Sequence, residues 1–182
     1  MYYQQQATAQ RRAPVNIFGL GTLYHCAGAL LLLLFSVYTA TAQINFTELD
    51  KKMSQEKRYV VVCINSKYCT YCLMQEAQMK KNNTLRQRMD SGFYFVKTMA
   101  ESDSAIVFNH RKYINPNPED PYQVNDFVNI YGKHGKGFVG YPLWLYFDKD
   151  YRLVLRFYGL MPPKNILKVL DIIEKVDALD RK

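Results

Sequence analysis

Histidine and cysteine are scarce in this 182-residue chain, and residues 1–42 contain no acid at all. The three histidines, His25, His110 and His134, are spaced too widely for the H-x3–5-H pair of a zinc site, so a cysteine pair would lack its two further ligands. Only Cys63, Cys69 and Cys72 follow residue 42, too few to staple a small disulfide scaffold; a hydrophobic core must hold the fold. No internal repeat or low-complexity tract is present, which excludes a solenoid. A hydrophobic content of 48% suits one globular domain. The net charge is +8, but Lys and Arg are scattered and neighbour acids, as in Glu48–Arg58 (ELDKKMSQEKR). This is a solvated surface, and no nucleic-acid partner is expected.

The acid-free segment has a layout of its own. Arg11 and Arg12 precede the apolar run Leu30–Ala40 (LLLLLFSVYTA), which leads into Ala40-Thr41-Ala42-Gln43. Basic, apolar and small-residue regions in that order form a secretory signal, cleaved after Ala42. The apolar character also reaches back to about Ile17, close to the ~20 residues a membrane span needs, so a retained anchor is the alternative. Tyr24 and His25 before Cys26 do not fit a lipoprotein signal. Either way the expected division is 1–42 as signal peptide or membrane anchor and 43–182 as an exported domain.

Along that domain, residues 43–58 read as an amphipathic helix with Phe46, Leu49 and Met53 on one face and Thr47 as N-cap. Tyr59–Ile64 (YVVVCI) is a strand buried on both faces. Residues 69–80 lack Gly and Pro and read as a helix beginning at the cysteine pair. A short helix over Thr84–Met89 and a strand Phe93–Met99 follow. The connection 101–125 reads as an insert, with a hairpin of Ile106–Phe108 and Lys112–Ile114 and then a proline-rich loop. Beyond it come a helix Asn125–Tyr131, a strand Pro142–Phe147, a turn at Asp148, a strand Tyr151–Tyr158, and a helix from Pro163 to Val176. The aromatics Phe93, Tyr94, Phe95, Trp144, Tyr146, Phe147, Phe157 and Tyr158 are expected mostly in the core.

The pair Cys69-Thr70-Tyr71-Cys72 thus stands where a buried strand turns into a helix. A helix N-terminus stabilises a thiolate, because its unpaired N–H groups carry partial positive charge; Lys67 adds to this. Cys69 would be the attacking thiolate and Cys72, one turn further in, the resolving thiol. Half a metal site and two inert buried thiols are the competing readings, with Cys63 itself a small apolar filler on its strand. Tyr68, Tyr71 and Tyr141 are candidates for an apolar platform that receives an unfolded substrate segment.

Over residues 45–178 the chain resembles the thioredoxin superfamily, most closely exported thioredoxin-like domains and the C-terminal domain of membrane thiol:disulfide interchange reductases. The resemblance rests on Val60–Glu76, the strand Phe93–Met99, and Gly140–Asp148 with its following hairpin and helix. It implies an α/β fold with a central mixed sheet flanked by helices, carrying an insert before the second main helix. It also implies that Pro142, preceded by Tyr141, is cis and sits beside the redox cysteines to present backbone to substrate. Two departures stand out. The buried Asp that usually precedes the first cysteine by six residues is replaced by Cys63, and Glu76 is the alternative proton acceptor for Cys72, or else a solvent-facing helix residue. The dipeptide Thr70-Tyr71 matches neither of the family's best-known pairs, so the direction of electron flow stays open.

The expected activity is therefore an exported thiol-disulfide oxidoreductase using Cys69 and Cys72 without a cofactor or metal. Protein thiols or disulfides would be its substrates, and a membrane reductase a candidate upstream partner. The resemblance implies the periplasm of a Gram-negative bacterium, at the inner membrane if the anchor is retained. The rival is a redox-inactive interaction module that docks its partner through the insert 101–125.

Overall fold

Tyr59–Asn65 (β1) has no exposed residue, and a strand buried on both faces must lie inside a sheet covered on both sides. A computed structural model, which describes residues 44–133, 137 and 140–180, shows how. β1 runs parallel to Phe93–Met99 (β2) and antiparallel to Leu143–Phe147 (β5); Leu153–Tyr158 (β6) pairs antiparallel with β5. The sheet order is β2-β1-β5-β6. The expected signal peptide or anchor, residues 1–42, lies outside the described residues.

Side-chain alternation divides the core into two layers. Val60, Val62 and Ile64 face one side with Leu143, Leu145 and Phe147; helix Phe46–Gln55 (α1), the short hairpin Ile106–Phe108 (β3) and Arg111–Tyr113 (β4), and helix Asp126–Tyr131 (α4) cover them. Tyr59, Val61 and Cys63 face the other side with Trp144 and Tyr146. Helices Asn83–Gly92 (α3) and Pro163–Asp180 (α5) close that layer through Leu85, Met89, Ile166, Leu170 and Ile173. Helix Thr70–Lys81 (α2) leads from the end of β1 into α3. This is the mixed sheet flanked by helices that the resemblance implies.

The insert is built into this core. Phe108 is fully buried, with ring centroids 4.7 Å from Phe147, 4.9 Å from Tyr151, 5.2 Å from Phe127 and 5.6 Å from Tyr131. Asp50 on α1 holds the hairpin tip, accepting backbone N–H bonds from Asn109 at 3.1 Å and His110 at 2.8 Å. Both tip residues have positive φ, which two carboxylate hydrogen bonds help to hold. The insert's exposed large apolar residues are Val107, Ile114 and, almost wholly open, Tyr122.

Three local readings are corrected. Asn45, not Thr47, caps α1: its side chain accepts the Glu48 N–H at 2.9 Å from an extended backbone, and Thr47 is already helical. The second hairpin strand starts at Arg111 rather than Lys112, because the tight turn uses only Asn109 and His110. Phe157 is exposed, since β6 is the sheet's edge and no strand covers its outer side.

Candidate active site

Cys69 is the N-cap of α2. Its backbone is extended, and its Sγ accepts the Cys72 N–H at 3.0 Å, so sulfur occupies the place that a Ser or Asp oxygen takes at other helix starts. Cys69 and Cys72 form a disulfide with Cα atoms 5.2 Å apart. Cys72 is buried at 3% exposure, whereas Cys69 is partly open, so only Cys69 can be reached by another protein. The first turn of α2 directs its unpaired N–H groups to the same sulfur, favouring charge there.

One turn beyond Cys72 on α2, Glu76 points toward the sheet. Its Oε1 accepts from the Asn65 amide at 2.8 Å and from the Lys97 ammonium at 3.0 Å. Asn65 is 4% exposed and ends β1; its Oδ1 in turn lies 3.8 Å from Cys63 Sγ, within reach of the thiol proton. Thus Glu76 is half-buried and anchored, which excludes the solvent-facing alternative. Burial pushes the Cys63 thiol up to about 12; nearby Lys97 opposes this and Glu76 adds to it. Cys63 is therefore held as the protonated thiol at neutral pH. A groove of about 200 Å³, walled by Met79, Leu85, Met89 and Phe95, opens beside Glu76 and Lys97.

The Tyr141–Pro142 peptide is cis, as the resemblance implies, and Pro142 is buried with its carbonyl accepting the Gly159 N–H at 2.7 Å. Tyr141 is half-buried; burial pushes its phenol up to about 12, with the charge of Glu101 adding to the effect. Tyr68 and Tyr71 flank Cys69 in the chain at 84% and 61% exposure, and Leu73 and Met74 extend this exposed apolar surface along α2.

Several site residues escaped sequence reasoning. Glu101 is 8% exposed and grips the loop before Cys69, accepting the Ser66 hydroxyl at 2.5 Å and the Lys67 N–H at 3.2 Å. Gln75, fully buried, clasps the Met161 backbone, donating to its carbonyl at 2.9 Å and accepting its N–H at 2.8 Å. That pair of hydrogen bonds ties α2 to the segment between β6 and α5. Asn65 and Lys97 carried one usable signal: each is a polar residue ending or interrupting a strand that runs toward the cysteine loop.

The model of the thioredoxin-like domain family matches residues 46–174. Among solved structures, a thioredoxin-fold protein from Helicobacter pylori is 17% identical, covering 64% of this chain and 69% of its own, with a TM-score of 0.49. A thioredoxin from Thermus thermophilus is 15% identical over 71% of this chain and 83% of its own, with a TM-score of 0.49. A structure described as DsbH oxidoreductase is 11% identical over 72% and 83%, with a TM-score of 0.48. Among curated proteins none matches the chain.

Proposed function

Because this chain belongs to the thioredoxin-like domain family and carries a cysteine pair at the start of α2, we propose that it is an exported thiol-disulfide oxidoreductase acting on protein clients. The observation that carries this reading is the asymmetry of the pair: a helix-capping, solvent-open Cys69 bonded to a buried Cys72.

In the reductive direction the Cys69 thiolate attacks one sulfur of a client disulfide. The client S–S bond breaks, a Cys69–client mixed disulfide forms, and the departing client thiolate takes a proton from solvent. Cys72 then gives its proton to Glu76, one turn along α2, and its thiolate attacks Cys69 Sγ. The second client thiolate leaves and is protonated; the products are a reduced client and the Cys69–Cys72 disulfide, with two electrons transferred. Glu76 returns its proton to water through the groove beside Met79 and Phe95. Tyr141, Pro142, Tyr68 and Tyr71 are the surfaces that hold the client's backbone and apolar side chains during the exchange. An upstream reductase, membrane-bound in this reading, restores the dithiol. Residues 1–42 direct the domain out of the cytosol; among the described residues no helix is long and apolar enough to cross a membrane.

Reduction of insulin by dithiothreitol, followed by turbidity, tests the activity. The purified domain is expected to accelerate it, and Cys69→Ser to abolish the acceleration; equal rates for the two would refute the proposal.

A further inference from the structure

Glu101 has no part in the exchange described above, yet it is the most deeply buried carboxylate among the described residues. It follows Ala100, whose N–H binds the Asn65 carbonyl at 2.7 Å, so the end of β2 is fixed against the end of β1. From there its two oxygens receive the Ser66 hydroxyl and the Lys67 N–H, and Ser66 passes the link on by accepting the Cys69 N–H at 3.3 Å. On the other side its charge is felt by the Tyr141 phenol. Glu101 therefore binds the cysteine loop directly and acts on Tyr141 through its charge.

We propose that Glu101 is a positioning residue for the redox couple: its buried carboxylate fixes the loop before Cys69 and disfavours the Cys69 thiolate, tilting the couple toward electron donation. This rests on the redox reading of the pair. An anion shielded from water acts strongly on a neighbouring thiolate and not on an uncharged disulfide. It thus destabilises the reduced form, and the dithiol yields its two electrons and two protons more readily to a client disulfide. The opposing groups are the N-terminus of α2 and the exposed Lys67; Glu76 and Lys97 pair with each other, and Tyr141 lies within reach of the Glu101 charge.

The test is the pH dependence of Cys69 alkylation by iodoacetamide in a Cys72→Ser chain, with the glutathione equilibrium of the intact pair as a second readout. Glu101→Gln is expected to let the thiolate form at about tenfold higher proton concentration and to shift the glutathione equilibrium about tenfold toward the dithiol. Glu101→Asp, which keeps the charge, should stay within about threefold of the parent in both. A Gln variant that titrates like the parent, or an Asp variant that moves as far as Gln, would overturn the proposal. Should Gln unfold the chain, Glu101→Met, uncharged and close in volume, takes its place against Asp under the same criterion. Alkylation reads Cys69 whether or not any client is reduced, so failure of the redox assignment remains a separate result.

Discussion

The Asn65 side-chain amide donates to the Glu76 carboxylate across 2.8 Å, joining the end of β1 to the helix that Cys69 caps and that holds Cys72. The family's usual acid would sit two residues before Asn65, where this chain has Cys63. A thiol whose pKa is pushed up to about 12 cannot receive a proton from Cys72. Glu76, presented from the helix side and braced by Asn65 and Lys97, is the carboxylate proposed in its place.

The role proposed for Glu76 as proton acceptor should show in turnover. Glu76→Gln is expected to slow release of mixed disulfides at pH 7 by about tenfold or more, since positioned general bases contribute at least that much. Cys63→Asp should speed it if the strand tolerates the carboxyl, because burial raises the pKa of an unpaired acid. Stopped-flow reduction of a mixed disulfide measures both; unchanged rates in two folded variants would remove Glu76 from the mechanism.

Asn65→Ala leaves Glu76 with Lys97 alone and removes a buried hydrogen bond to a charged group. We expect a loss of about 1–3 kcal/mol in urea unfolding, together with a smaller fall in turnover than for Glu76→Gln. A variant as stable and as fast as the parent would show that the bond is incidental.

The buried thiol also predicts a pH effect. Folding raises the Cys63 pKa from 9.0 to about 12, so the folded chain holds this proton more tightly than the unfolded one. The contribution to stability is complete below about pH 9 and declines, by up to about 1.4 kcal/mol per pH unit, as pH rises toward 12. Tyr141 titrates in the same direction, so the readout is the difference between parent and Cys63→Ala. The Ala variant should lose stability less steeply above pH 9; parallel curves would contradict the assignment.

Phe108 tests whether the insert belongs to the core. It contacts five aromatic rings from α1, α4, β5 and the turn before β6. Phe108→Ala should therefore cost about 3–5 kcal/mol in chemical denaturation, whereas a detachable docking arm would give less than about 1.

The sequence was most informative where local pattern and chemistry coincide. The β-branched run before Cys69, the Gly- and Pro-free helix after it, and Pro142 at the head of an apolar strand all announce themselves within a few residues. What stayed hidden depends on distant pairing. Glu101 reads as an ordinary loop acid until the parallel register of β1 and β2 sets Met99 beside Asn65 and brings Glu101 to Ser66. Gln75 reads as a surface helix residue, yet it is buried because the Met161 segment lies against it. The insert's hairpin was visible, but not that Phe108 enters the core, since a three-residue strand carries no burial pattern of its own.

Trapping tests the central claim most directly. The account makes Cys69 the attacking thiolate and Cys72 the resolving thiol, so Cys72→Ser should accumulate mixed disulfides with client proteins on non-reducing gels, and Cys69→Ser should accumulate few. Comparable trapping by both variants, the reverse pattern, or none by either would contradict it.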